Sequence, residues 1–66
     1  MKIGEKIKEL RLEHGISQAV LAKNIGVSQK AVDYWERGVN EPKASYVITL
    51  VHFFGTSFDE FFSEVD

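Results

Sequence analysis

Within the stretch Ser28 to Arg37, SQKAVDYWER, the sequence gathers an amide, an ammonium, a carboxylate, a phenol and a guanidinium: Gln29, Lys30, Asp33, Tyr34 and Arg37. These groups donate and accept hydrogen bonds in the patterns that base edges present. Gln29 suits adenine, Lys30 suits guanine, Asp33 accepts from cytosine, and Tyr34 packs on a thymine methyl or reaches a phosphate. On a helix turning about 100° per residue, Lys30, Asp33, Tyr34 and Arg37 fall outward, Ala31, Val32 and Trp35 fall on the opposite side, and Gln29 and Glu36 lie on the flanks. A short helix with one apolar and one polar side is suited to entering a groove.

Such a helix needs other elements to hold its apolar side. Ser28 caps it at the start and Gly38 closes it. Just before it, Ser17 caps a second helix whose buried side is Leu21, Ala22 and Ile25. Gly26 permits a sharp reversal between the two, and the small Ala22 lets another helix approach. Upstream, Ile3, Ile7 and Leu10 line one side of a first helix, with Lys2, Glu5, Lys6, Lys8 and Glu9 on a solvated face and Gly15 ending it. Downstream, Val47, Leu50, Val51 and Phe54 recur at helical intervals before Gly55. The run VITLV has strand-like composition, but no second strand exists to pair with it, so it reads as helix. Ser57 and Glu60 have capping-box spacing ahead of a last short helix with Phe58, Phe61 and Phe62 on its apolar side. The expectation is an all-α, compact five-helix fold forming a single domain over residues 1–66.

Composition narrows the function. A chain of 66 residues supports one small core, and 44% hydrophobic content makes that core feasible. The chain has no cysteine, which removes disulfides, thiolate metal sites and cysteine nucleophiles and fits a reducing compartment. The longest apolar run is too short for a bilayer, and the start MKIGEKIKEL is charged where a signal peptide is apolar, so the expected location is cytoplasmic. The net charge is −2, which by itself disfavours a polyanionic partner. However, Asp59, Glu60, Glu64 and Asp66 lie at the end, leaving eight basic against six acidic side chains in residues 1–58.

No catalytic constellation emerges. His14 and His52 are far apart with no ligand cluster near either, so neither a metal nor another cofactor is expected. Ser17, Ser28 and Ser57 precede helices and are explained as caps. No glycine-rich phosphate loop exists, because Gly4, Gly15, Gly26, Gly38 and Gly55 are scattered at helix ends. Trp35 shares the side of Val32 and is assigned to the core. Five phenylalanines fall between residues 53 and 62, too many for so small a core. Phe54, Phe58 and Phe61 are expected inside, and Phe53 and Phe62 on the surface as the seed of a dimer interface.

Taken in order, Arg11, Gly15, Ser17-Gln18, Leu21-Ala22, Gly26-Val27-Ser28, Val32, Trp35-Glu36-Arg37-Gly38, Pro42 and Gly55-Thr56-Ser57-Phe58 give the sequence a strong resemblance to the Xre family, the lambda-repressor/Cro-like helix-turn-helix domains of phage and bacterial regulators. The resemblance extends over nearly the whole chain. It implies a lambda-repressor-like fold in which helices two and three form the helix-turn-helix, with helix three in the major groove of double-stranded DNA and helix two across the backbone. It also implies a sequence-specific transcriptional regulator, of repressor type, that binds a palindromic operator as a homodimer, with no membrane or small-molecule ligand.

Carried over by residue, the resemblance makes Gln29, Lys30, Asp33 and Tyr34 base readers. Arg11, Ser17, Gln18, Ser28, Arg37, Asn40 and Lys43 become phosphate contacts, and Arg11 with Glu36 a bridge from helix one to helix three. Three departures stand out: Lys43 sits where a Ser or Thr often caps helix four, Val51 and Phe53 replace frequent alanines, and Asp33 adds a negative charge to the reading face. The alternative function is a protein-interaction module that keeps the fold and uses Tyr34, Phe53 and Phe62 against a protein.

Overall fold

A computed structural model describes all 66 residues. Five helices follow one another: α1 (Ile3–Glu13), α2 (Gln18–Ile25), α3 (Gln29–Arg37), α4 (Ala44–Phe54) and α5 (Phe58–Phe62). None is long and apolar enough to cross a membrane. Isolated helices this short are marginal in water, so each exists because one side is buried against the others.

Start and stop signals act where the sequence places them. Ser17, Ser28 and Ser57 accept from the backbone amides of Val20, Ala31 and Glu60, each at 3.1 Å. Gly26 adopts φ +84°, a left-handed conformation that a side chain would strain. It sends its N–H back to Ala22 O at 2.9 Å, and α3 begins three residues later. Lys43 precedes α4 without a side-chain cap. At α5 the acid partner of the expected capping box differs: the Glu60 carboxylate accepts from the Thr56 hydroxyl at 3.1 Å.

The core draws on every helix: Ile7 and Leu10, Leu21, Ala22 and Ile25, Val32 and Trp35, Val47, Leu50, Val51 and Phe54, and Phe61. Burying a large aliphatic or aromatic side chain contributes about 1.5–3 kcal/mol, so Val32 and Trp35 decide which side of a helix as short as α3 faces inward. The Trp35 ring also lies 5.7 Å from that of Tyr46 on α4. VITLV lies within α4, as expected.

Three expectations are corrected. Phe58, expected inside, is 46% exposed, because α5 is five residues long and its inward position is taken by Phe61. Phe53, expected on the surface, is half-buried and packs edge-on against Phe54 at 5.3 Å. Lys6, placed on a solvated face, is buried, and its ammonium lies 3.7 Å from Glu9 and 3.6 Å from Glu64. The tail is thus pinned to the start of the chain. The Met1 ammonium donates to the Glu64 carbonyl and lies 3.6 Å from the Asp66 carboxylate, and Asp66 N–H returns a bond to Met1 O at 3.0 Å.

Gly4 is not a terminator like the other glycines. It lies in the first turn of α1, buried against α3, where a β-carbon would fall 1.7 Å from the Trp35 carbonyl oxygen and 2.8 Å from the carbonyl carbon. Intrinsic helix propensity favours alanine over glycine by about 1 kcal/mol. The obstructing atoms are backbone, however, and forcing volume into a packed contact costs about 1–3 kcal/mol or more. Gly4→Ala is therefore expected to lower the thermal midpoint, measured by circular dichroism; a midpoint at or above that of the parent would contradict this close approach.

Candidate nucleic-acid interface

Three helices converge on one buried ion pair. The Arg11 Nε donates to Glu36 Oε2 at 2.7 Å and a terminal nitrogen donates to Oε1 at 3.0 Å. The other terminal nitrogen donates to the Ile16 carbonyl at 2.9 Å, in the connection to α2. The side chains are 10% and 3% exposed, so water offers neither of them much solvation. The hydrogen bond to Glu36 raises the Arg11 pKa above its already high value, and burial opposes it. Gln18 completes the junction, donating from Nε2 to Glu36 Oε1 at 3.1 Å. Arg11 was expected both as bridge and as phosphate contact. Its guanidinium is turned inward with a protein partner on each nitrogen, so the geometry supports the bridge and commits most of its donors to it.

The outer side of α3 divides into two parts. At its start, Gln29 and Lys30 are exposed. Further along, Tyr34 is half-buried, with the Lys30 ammonium and the Arg37 guanidinium each 5.4 Å from its ring centre. Cation–π contacts at such exposed positions contribute about 0.5–1 kcal/mol, enough to bias both cations toward the same stripe. An open cleft of about 570 Å³ runs beside this stripe, lined by Ser28, Lys30 and Tyr34 on one wall and Asn40, Lys43 and Tyr46 on the other. Lys43 and Asn40 are thus brought to the same side as the α3 residues. Ser17 and Ser28 use an oxygen lone pair for capping, which leaves each hydroxyl proton available to an acceptor.

Asp33 is placed otherwise than a freely outward residue. It is half-buried, its Oδ2 accepting a hydrogen bond from Arg37 Nε at 3.0 Å and forming an ion pair with a terminal nitrogen of the same guanidinium at 2.9 Å. Gln18 Nε2 approaches its Oδ1 at 3.4 Å. The Arg37 hydrogen bond holds the Asp33 carboxyl below the usual aspartate range, with help from Gln18. Arg37 and Gln18, both expected at phosphates, therefore also serve this carboxylate. The acid-then-base spacing of four between Asp33 and Arg37 is a helix pairing signal that sequence alone carries. Nothing local marks the link from Gln18 to α3.

The helix-turn-helix family model matches residues 7–61. The chain is 32% identical over 63 residues, 96% of its length, to the HTH-type transcriptional activator BcrR of Enterococcus faecalis, and covers 31% of that protein. It is 40% identical over 48 residues to repressor protein C2 of Salmonella phage P22, covering 73% of this chain and 22% of that one. It thus spans about a third or less of the length of these two curated relatives. Among solved structures, the P22 c2 repressor protein in complex with synthetic operator 9T is similar with a TM-score of 0.84 and 34% identity, covering 92% of each chain.

Removing one partner of the buried pair leaves the other charge without solvent or counter-ion, at about 3–5 kcal/mol. That is comparable with the whole stability of a small domain, about 5 kcal/mol. Arg11→Ala is accordingly expected to be largely unfolded at 25 °C by circular dichroism. The double change Arg11→Met with Glu36→Leu is expected to recover helical signal. A well-folded single variant would refute the buried bridge.

Proposed function

The chain belongs to the helix-turn-helix family of Xre and lambda-repressor type, and on that premise we propose that it is a sequence-specific DNA-binding transcriptional regulator. In this reading α3 enters the major groove and α2 crosses the backbone. One observation carries it: Gln29 and Lys30 are exposed at the start of a helix whose opposite side, Val32 and Trp35, is locked in the core. Gln29 and Lys30 then read bases, and Tyr34 packs at the edge of the site. Ser17, Ser28, Asn40, Lys43 and Arg37 hold phosphates, and Gln18 divides its amide between backbone and scaffold. The relatives include both an activator and a repressor; repression is the direction proposed here, and the protein acts in the cytoplasm with the DNA.

A palindromic operator requires a homodimer. Half-sites one turn apart are separated by about 34 Å, and the molecule measures 26 × 24 × 22 Å, so two copies fit side by side on one face of the duplex. The self-association surface proposed from sequence, Phe53 with Phe62, is revised. Phe53 is half-buried, whereas Ile48, Phe58 and Phe62 are 47%, 46% and 40% exposed and border one apolar groove between α4 and α5. A two-fold axis would set this patch against its own copy. These three residues, with Phe53 at most at the rim, form the proposed contact.

Binding to duplexes selected from a random pool tests the DNA reading. Gln29→Ala is expected to weaken the selected site by about 1–3 kcal/mol and relax one position. Lys30→Ala is expected to weaken binding and, if it meets a phosphate, to lower the slope of log affinity against log salt by about 1. No binding to any duplex at low salt would favour the protein-interaction alternative instead. For the dimer, Phe62→Glu and Ile48→Glu are each expected to reduce cooperative two-copy occupancy of a palindrome, read by mobility shift. Unaltered two-copy binding by both variants would remove this surface from the interface.

A further inference from the structure

Asp33 is a negative charge on a surface proposed to meet a polyanion, and the structure fixes it in place. A freely rotating aspartate would swing aside when DNA approached. Here Oδ2 is clamped by two guanidinium nitrogens of Arg37, and Oδ1 is approached from one side by Gln18, which is itself tied to the buried Glu36. The side chain remains 36% exposed. Oδ1 receives one long contact, so a lone pair is left for an outside donor. An ionised carboxylate accepts hydrogen bonds and donates none, and the Arg37 hydrogen bond keeps Asp33 ionised well into acid.

We infer that Asp33, clamped by Arg37 and Gln18, is a negative specificity determinant that excludes duplexes presenting an acceptor edge opposite it and admits those presenting an amino group. The inference rests on the DNA-binding reading above and adds a mechanism to it. In the major groove, guanine offers N7 and O6 and thymine offers O4, all acceptors that an ionised carboxylate repels. Cytosine N4 and adenine N6 are the donors it accepts, cytosine more favourably because no N7 acceptor adjoins its amine. The same fixed charge repels phosphates when the protein is out of register, so it depresses binding to unrelated sequence more than binding to the preferred site. Arg37 is what makes this possible: it stops the carboxylate from turning away and cancels part of its long-range repulsion.

The test compares the parent with Asp33→Asn, which keeps the shape while removing the charge and adding a donor, and with Asp33→Ser, which removes the carboxylate altogether. Each protein selects duplexes from a random pool, and affinity for the parent's selected site is then measured against a scrambled duplex at fixed salt. The expected result is that both variants bind the scrambled duplex more tightly and that the ratio of selected to scrambled affinity falls by about tenfold, the scale of one base contact. The preference for C or A at one position is lost in both, while the other positions keep theirs. Circular dichroism establishes that the variants are folded, which the position of Asp33 outside the core favours. If the parent selects a site and both variants select it unchanged with the same ratio, the exclusion role is overturned and the DNA reading stands. If the parent enriches no duplex, the DNA reading fails and this inference with it.

Discussion

The direction in which α3 points depends on the buried pair between Arg11 and Glu36. Packing of Val32 and Trp35 decides which side of the helix faces inward, but apolar contacts are non-directional and tolerate small rotations. A guanidinium fork on a carboxylate tolerates few, because both N–H vectors must meet both oxygens. Burial makes this constraint stringent, since a misaligned pair would leave charge unsatisfied at several kcal/mol. The third arm, to Ile16 O, extends the constraint into the connection to α2, so the two helices of the motif are oriented by one side chain of α1. Gly4 supplies the steric counterpart by letting the backbones of α1 and α3 touch beside Trp35.

Electrostatics elsewhere follow from what that junction leaves over. Within α3, Glu36 is paired with Arg11 and Asp33 is partly offset by Arg37, so an overall charge of −2 says little about the outer face of that helix. The acidic tail is partly spent as well: Glu64 meets Lys6, and Asp66 meets the amino terminus. Lys30 and Lys43, both exposed along one cleft, remain available. The composition and the local field therefore point in opposite directions, and the local field is what a partner at this face would meet.

Much of this was legible from sequence because it rests on short-range rules. Serine caps, helix-ending glycines and apolar positions spaced three and four apart are determined by residues close in the chain, and they located all five helices and most of the core. The Arg11–Glu36 bridge was reached only through family resemblance, since a contact across twenty-five positions leaves no periodic trace. Lys6 reads as solvated for a related reason: one of its two carboxylate partners lies in a tail more than fifty positions away. The close approach at Gly4 was not legible, because a glycine in the first turn of a helix looks like any other helix-end glycine until a neighbouring backbone is seen against it. Phe53 and Phe58 exchanged roles because rotation predicts which side a residue takes, whereas how far the core reaches beneath that side is a matter of tertiary fit. The Asp33–Arg37 pair had a readable spacing, but treating Asp33 as simply outward passed over it.

The Gln29 side chain makes no hydrogen bond within the protein, and the Lys30 ammonium lies over the Tyr34 ring, while Val32, Trp35 and Glu36 on the same short helix are buried or locked. Requirements for folding and, on the DNA-binding reading, for recognition would thereby fall on different side chains of one short helix, as close as the two positions that separate Lys30 from Val32. A lineage carrying this scaffold can drift through new target preferences by exchanging the outer residues, with little penalty in melting behaviour at each step. On that reading, the evolvability of its target preference is a by-product of how rigidly the inner residues are held.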